Sequence, residues 1–315
     1  MLSITEIKRK LPNDFIEEIE KEYSPMVVDK MLASMGEKRT VTIRVNRLKT
    51  NRLELMDCFK EKNIKFDSVL WYEDAFVIKN KTEKELQKLE EFENGLFYMQ
   101  SLSSMIPPLV LNPKKNEKIL DMTAAPGSKT TQMASMMQNE GSILANELDF
   151  IRYERLKYNV EKQGASIVKV INGRGEKLGE EYSNYFDKVL LDTPCSGEGR
   201  FSMLEPRTYR DWSMKKVREL VKVQKKLWKS AYQALKPNGI MVYSTCTINQ
   251  WENEEILDWA YQNFNMQIEK IEIPIKEIVA ANAKGKEKAI ENAIKVLPSK
   301  TMEGFFVAKI RKKEI

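Results

Sequence analysis

Two cysteines stand in segments that read as loops at strand ends. They are Asp192-Thr193-Pro194-Cys195-Ser196-Gly197-Glu198-Gly199-Arg200 and Ser244-Thr245-Cys246-Thr247. Predicted strands over 187–191 and 239–244 lead into them, and neighbouring parallel strands bring such loops to one end of a sheet. Proline, glycine and polar neighbours mark exposed turns, although two ordinary buried thiols are the plain alternative. A cysteine so placed becomes a nucleophile once nearby charge lowers its pKa. Cytosine is a target that needs one: C5 is a poor carbon nucleophile until a thiolate adds at C6, after which it can take a methyl group from a sulfonium. On this assignment Cys246 attacks. Asp192 would hydrogen-bond the base at N3/N4 and stabilise the activated ring. Cys195 would assist loss of the C5 proton, directly or through water. Lys129 would either orient the base or tie down its own loop.

A second chemical signal is Asp121-Met122-Thr123-Ala124-Ala125-Pro126-Gly127-Ser128-Lys129-Thr130. It joins a predicted strand over 118–122 to a predicted helix over 128–137, where open α/β folds place ligands. Gly127 allows a tight passage, and the free amides of a helix start can meet electronegative atoms. Gly-Ser-Lys-Thr suggests a phosphate loop, but the required upstream glycine is absent, Thr occupying position 123. Glu147 ends the next strand, where a carboxylate can accept from both hydroxyls of an adenosine ribose. Asn172 could meet an adenine edge, or Asn172-Gly173 could simply be a turn. A nicotinamide site is disfavoured because the G-x-G-x-x-G fingerprint is missing.

The elements that must hold these residues alternate regularly. Strands are expected over 118–122, 141–145, 167–171, 187–191 and 239–244, with helices over 128–137, 150–163, 215–235 and 252–261. This pattern implies a doubly wound, Rossmann-like α/β sheet with both faces covered. Residues 305–310 would add a late antiparallel edge strand, and 278–294, rich in Ala, Lys, Glu and Asn, reads by default as a solvated helix. Ahead of this region, Pro12 and Ser24-Pro25 open two helices, followed by a strand over 40–46, a helix over 52–62 and strands over 68–71 and 75–78. The expected division is a small α+β domain over 1–80, assigned to RNA binding, and a catalytic domain over 81–315. Cys58 falls in the first domain's helix and is assigned to packing.

Composition narrows the chemistry. The 315 residues include no histidine and only three cysteines, so the usual neutral-pH base, a zinc cluster and a disulfide framework are all disfavoured. No apolar run approaches about 18 residues, which argues against a membrane span. The opening residues lack a secretory apolar stretch, so a cytoplasmic protein is expected. A monomer is the default. The formal charge of +6 suits an anionic partner only weakly. Residues 200–212 combine arginines with aromatics, so Tyr209 or Trp212 would either stack a splayed base or pack beneath the following helix. Arg39, Arg44, Arg47, Lys49 and Arg52 suggest a second basic surface.

Together the motifs Ala124-Ala125-Pro126-Gly127-Ser128-Lys129-Thr130, Asp192-Thr193-Pro194-Cys195-Ser196-Gly197 and Ser244-Thr245-Cys246-Thr247 resemble those of the NOL1/NOP2/Sun family of RNA cytosine-5 methyltransferases. Arg44-Val45-Asn46, Phe97-Tyr98-Met99-Gln100 and Glu303-Gly304-Phe305-Phe306-Val307-Ala308 extend the likeness over most of the chain. The resemblance implies a class I methyltransferase fold using S-adenosyl-L-methionine. It makes Cys246 the nucleophile and Cys195 the residue that resolves the adduct, with Asp192 and Lys129 beside the cytosine. It places the cofactor against Ala124, Ala125, Pro126, Gly127, Ser128, Lys129, Glu147, Arg152, Asn172 and Asp192. Asn172 departs from the acidic residue many relatives carry there. The implied partner is rRNA or tRNA, with the target base leaving its stack. Two competing readings are a DNA cytosine methyltransferase, in which Cys195 would attack, and a noncatalytic RNA-binding or ribosome-assembly protein.

Overall fold

The computed structural model describes residues 2–314. Thirteen strands form two sheets among these residues. The smaller contains β1 (Val41–Val45), β2 (Phe66–Ser68), β3 (Ala75–Ile78) and β4 (Phe97–Met99) in the order β2-β3-β1-β4. The larger begins with β5 (Lys118–Asp121), β6 (Ser142–Glu147), β7 (Val168–Asn172), β8 (Phe186–Asp192) and β9 (Leu235–Thr245). It is completed by β10 (Met266–Glu269), β11 (Ile278–Ala280), β12 (Ile294–Val296) and β13 (Phe305–Lys312). Its order is β11-β12-β13-β9-β8-β5-β6-β7, with β10 also paired to β13.

The five strands from β7 to β9 run parallel, as the alternating apolar strands and helices require. Alternate residues serve opposite faces. Ile119, Ile143, Leu190 and Val242 pack with Met105, Met133 and Leu156 on one side. Leu120, Leu144, Val189 and Met241 pack with Leu178, Trp228 and Leu257 on the other. Because the strands share one direction, Asp121, Glu147, Asp192 and Thr245 end at the same edge of the sheet. That edge carries the chemistry.

Several expectations need correction. The small sheet takes its fourth strand from Phe97–Met99, which pairs with β1, so by its hydrogen bonding this unit extends past residue 80. The leading helices Asn13–Glu22 and Pro25–Met35 form where expected, but they do not pack with that sheet. Phe15, Ile19, Met31 and Leu32 cluster instead with Phe201, Tyr209, Trp212 and Val217. Phe15 lies 4.9 Å from the Phe201 ring and 5.8 Å from Trp212. Tyr209 and Trp212 are thus buried packing residues rather than a free stacking platform. Residues 278–294 are not a solvated helix: β11 and β12 join the sheet, with a 3-10 turn at Lys288–Asn292 between them. Consequently β13 is interior, antiparallel to β9 on one side and to β10 and β12 on the other. The strand expected over 68–71 lies earlier, at Phe66–Ser68.

The expected second basic surface is only partly present: Arg44 is buried and the other cations have protein partners, while Arg47 and Lys49 stay exposed. Arg44 is 1% exposed and donates to Gln100 Oε1 at 2.9 Å and Thr131 Oγ1 at 3.0 Å. Arg39 pairs with Glu303 at 3.0 Å, Arg47 with Asp74 and Glu73, and Lys49 with the Asn94 carbonyl. Arg52 donates to Ser68 Oγ at 2.7 Å. These cations join segments of the protein. No helix among the described residues is long and apolar enough to cross a membrane.

Candidate active site

At the carboxyl edge of the large sheet lies a cleft of about 730 Å³. Its wall includes Ala125, Pro126, Ser128, Lys129, Glu147, Arg152, Asp192, Cys195 and Cys246. The register that pairs Asp192 with Ser244 brings the two cysteine loops side by side. Cys195 Sγ lies 3.1 Å from Cys246 Sγ, and the Cys246 amide donates to Cys195 Sγ at 3.3 Å. Ser196 and Thr247 hydroxyls meet at 2.9 Å, and Gly199 N–H donates to the Cys246 carbonyl at 3.1 Å. Gly199 must be glycine, since a Cβ there would stand 1.9 Å from the Gly304 carbonyl oxygen.

The two thiols differ in acidity. Cys246 is held below the ordinary thiol value, first by a hydrogen bond from Cys195 and then by the Arg200 guanidinium, against the opposing effect of burial. Cys195 is pushed well above it by that same hydrogen bond, by burial, and by the charges of Cys246 and Glu252. The pair is therefore asymmetric, Cys246 being the more acidic thiol and Cys195 the less acidic.

Asp192 and Lys129 stand beside them as an ion pair, Nζ to Oδ2 2.7 Å. Ser244 Oγ donates to the other Asp192 oxygen at 2.7 Å. Lys129 also donates to Ser104 Oγ at 2.8 Å and lies 5.3 Å from the centre of the Phe305 ring. Ser104 and Phe305, which neither cysteine motif contains, complete this corner with the motif residue Ser244. They arrive from a helix and two strands whose contacts are not local in sequence.

The other end of the cleft is built by the turn after β5. Gly127 adopts φ 104° and begins the helix Ser128–Met136. Thr130 Oγ1 donates to buried Asp121 at 2.6 Å, and burial pushes that carboxyl up to about 7. Arg152 Nη2 donates to the Ala125 carbonyl at 2.8 Å, while its Nη1 lies 3.6 Å from Glu147 Oε2. Glu147 is 4% exposed, and Oε2 has no hydrogen-bond partner among the described residues. A buried, unsatisfied acceptor facing a cleft suits the hydroxyls of a nucleoside ribose. Ala124 and Gly127 form the turn beneath the wall rather than the wall itself. Asn172 also stands apart from the wall: its amide nitrogen donates to the carbonyls of Glu147 and Leu148 at 2.8 and 2.9 Å. The Nδ2 bonds fit the turn reading of Asn172-Gly173, while the exposed Asn172 Oδ1 makes no bond of its own among the described residues. Cys58, in the helix Arg52–Glu61 of the small unit, takes no part.

Residues 108–311 match the family described as 16S rRNA methyltransferase RsmB/F, and 11–102 match the N-terminal domain of 16S rRNA methyltransferase RsmF. The chain is 40% identical to a tRNA (cytosine(49)-C(5))-methyltransferase of Pyrococcus abyssi, over 86% of this chain and 88% of that protein. It is 37% identical to the ribosomal RNA small subunit methyltransferase F of a Shewanella species, over 96% of this chain but only 63% of that protein. Among solved structures, a methyltransferase homolog protein from Pyrococcus horikoshii superposes with a TM-score of 0.79 at 30% identity, covering 96% of this chain and all of that one. With both matched regions and the paired cysteines in view, the chain belongs to the NOL1/NOP2/Sun family of RNA cytosine-5 methyltransferases.

Proposed function

We propose that this protein methylates C5 of a cytosine in rRNA or tRNA through a covalent adduct on Cys246, with S-adenosyl-L-methionine as methyl donor. The observation that carries this reading is the cysteine pair, 3.1 Å apart, at the edge where Lys129 and Asp192 also converge. When bound, the cofactor supplies an electrophilic methyl group on a sulfonium. Glu147, Arg152 and the 125–129 turn would hold its nucleoside end, the Glu147 oxygen that accepts no hydrogen bond meeting the ribose.

The residues divide the work by their environments. Cys246, lowered by its hydrogen bond and by Arg200, adds to C6. Asp192 accepts from the exocyclic amine, and Lys129 beside it offers a positive donor to the activated ring. After methylation C5 must lose its proton before sulfur can leave; that proton passes to water held by the Cys195 thiol, or to Cys195 itself once its own proton has left to solvent. The solvent face of the helix Met214–Ala234 supports an RNA partner. Lys215, Arg218, Lys222, Lys226 and Lys229 are exposed along it, spanning about 21 Å beside the cleft residues Val223 and Leu227.

The reading is tested by incubating the protein with labelled cofactor and unmodified rRNA and tRNA precursors, then mapping 5-methylcytosine. Label at one or a few cytosines is expected. Verified cofactor binding with no transfer to any of these RNAs would favour a noncatalytic RNA-binding role instead.

A further inference from the structure

The cysteines lie in loops that follow separate strands, so something must fix their spacing. Two adjacent buried side chains reach both loops. Glu252 is fully buried, and its carboxylate accepts from Ser196 N at 3.0 and 3.2 Å through its two oxygens. Gln224 Nε2 bridges Glu252 Oε1, at 2.8 Å, to the Pro194 carbonyl, at 2.9 Å. The residues on both sides of Cys195 are thus tied to one carboxylate. Asn253 does the same for Cys246: its Oδ1 accepts from Thr245 Oγ1 at 2.7 Å, and its Nδ2 donates to the Thr247 carbonyl at 3.1 Å. The dipeptide is itself anchored to the sheet, since Tyr243 Oη donates to the Glu252 carbonyl at 2.6 Å.

We propose that Glu252 and Asn253 are the positioning residues of the cysteine pair, Glu252 bracketing Cys195 and Asn253 bracketing Cys246, so that one dipeptide sets the distance between the two sulfurs. Neither side chain touches the cleft. Both act through the loops, and a shift of about 1 Å in such a constellation costs roughly a hundredfold in rate. Glu252 has a second effect. Its negative charge adds to the groups that keep Cys195 protonated, whereas the Arg200 guanidinium opposes them and Cys246 reinforces them. Burial raises Glu252 itself to about 6, and its neighbour Glu198 to about 8, so Glu252 is the member of that pair ionised at neutral pH. The kinetic part of this inference rests on the proposed methylation; the geometric part does not.

The test therefore begins without RNA. The pH dependence of Cys195 alkylation by iodoacetamide is followed by peptide mass spectrometry in Cys246→Ser protein, with and without Glu252→Gln. Gln preserves the size of the side chain and removes its charge, so the profile should move to lower pH by about half a unit or more. An unmoved profile would overturn the charge effect. In the protein with both cysteines, Asn253→Ala and the milder Asn253→Ser should then lower kcat by about tenfold or more with KM for RNA and cofactor unchanged. Unchanged kcat, or a loss confined to KM, would overturn the positioning role. If wild-type protein transfers no methyl group, the alkylation profile still decides whether Glu252 acts on Cys195.

Discussion

Two buried lysines show how one kind of interaction serves opposite ends. Lys129 pairs with Asp192 at the cleft, 11% of its side chain exposed, and shares its remaining hydrogens with Ser104. Lys295 is 1% exposed and pairs with Glu22 and, at 2.9 Å, with Glu254. Glu22 belongs to the leading helix Asn13–Glu22, whereas Glu254 begins the helix Glu254–Asn263 of the catalytic unit. Lys295 therefore joins chain segments, and its charge is consumed by fixed partners. Lys129 keeps one side open to a ligand. The difference is access, and it separates a group that can respond to a substrate from one that stabilises the packing.

Substitutions should separate the two regions clearly. The largest effect is expected from Cys246→Ala, which should lower turnover by about a thousandfold or more while leaving thermal stability nearly unchanged. Lys129→Met should follow, with a loss of about a hundredfold in kcat and little change in melting temperature. Lys295→Ala reverses the pattern: stability should fall by about 3–5 kcal/mol, because two buried carboxylates lose their partner, while the folded fraction keeps its kcat. Denaturant titration and steady-state kinetics on the same preparations would check both. Equal effects of Lys129→Met and Lys295→Ala on stability would break the contrast. Glu147→Gln should be milder, raising KM for the cofactor by about tenfold with little change in kcat.

The last expected effect concerns pH. Burial raises Glu198 from 4.5 to about 8, where its carboxyl sits against Trp212 Nε1 and Asn249 Nδ2 at 3.0 and 2.8 Å. Its folded-state pKa exceeds the unfolded one, so the native state binds the extra proton. That contribution is complete below the unfolded value and is lost as pH rises toward about 8. Glu198→Gln should flatten this decline in denaturation midpoint; an unchanged slope would show that Glu198 is not its source.

Much of this arrangement was legible in the chain itself. The β5–β9 strands are short apolar runs followed by polar turns, and the parallel sheet they imply brings Cys195 and Cys246 together. What escaped was decided by distant contacts. Residues 278–294 have helix-forming composition, yet pairing of β11 with β12, and of β12 with β13, overrides that preference. Arg44 reads as a surface cation until Gln100 and Thr131 are seen around it. Tyr209 and Trp212 suit a base equally well until the leading helices cover them. Within the site, Glu252 and Asn253 read from the sequence only as the first residues of the helix expected over 252–261. Their partners at 194–196 and 245–247 become visible only through the sheet register.

The most direct measurement is to trap the protein on RNA carrying 5-fluorocytosine in place of the target base and to map the cross-linked peptide. The account predicts attachment at residue 246, retained in Cys195→Ala and absent in Cys246→Ala. Attachment at residue 195 that survives Cys246→Ala would contradict it.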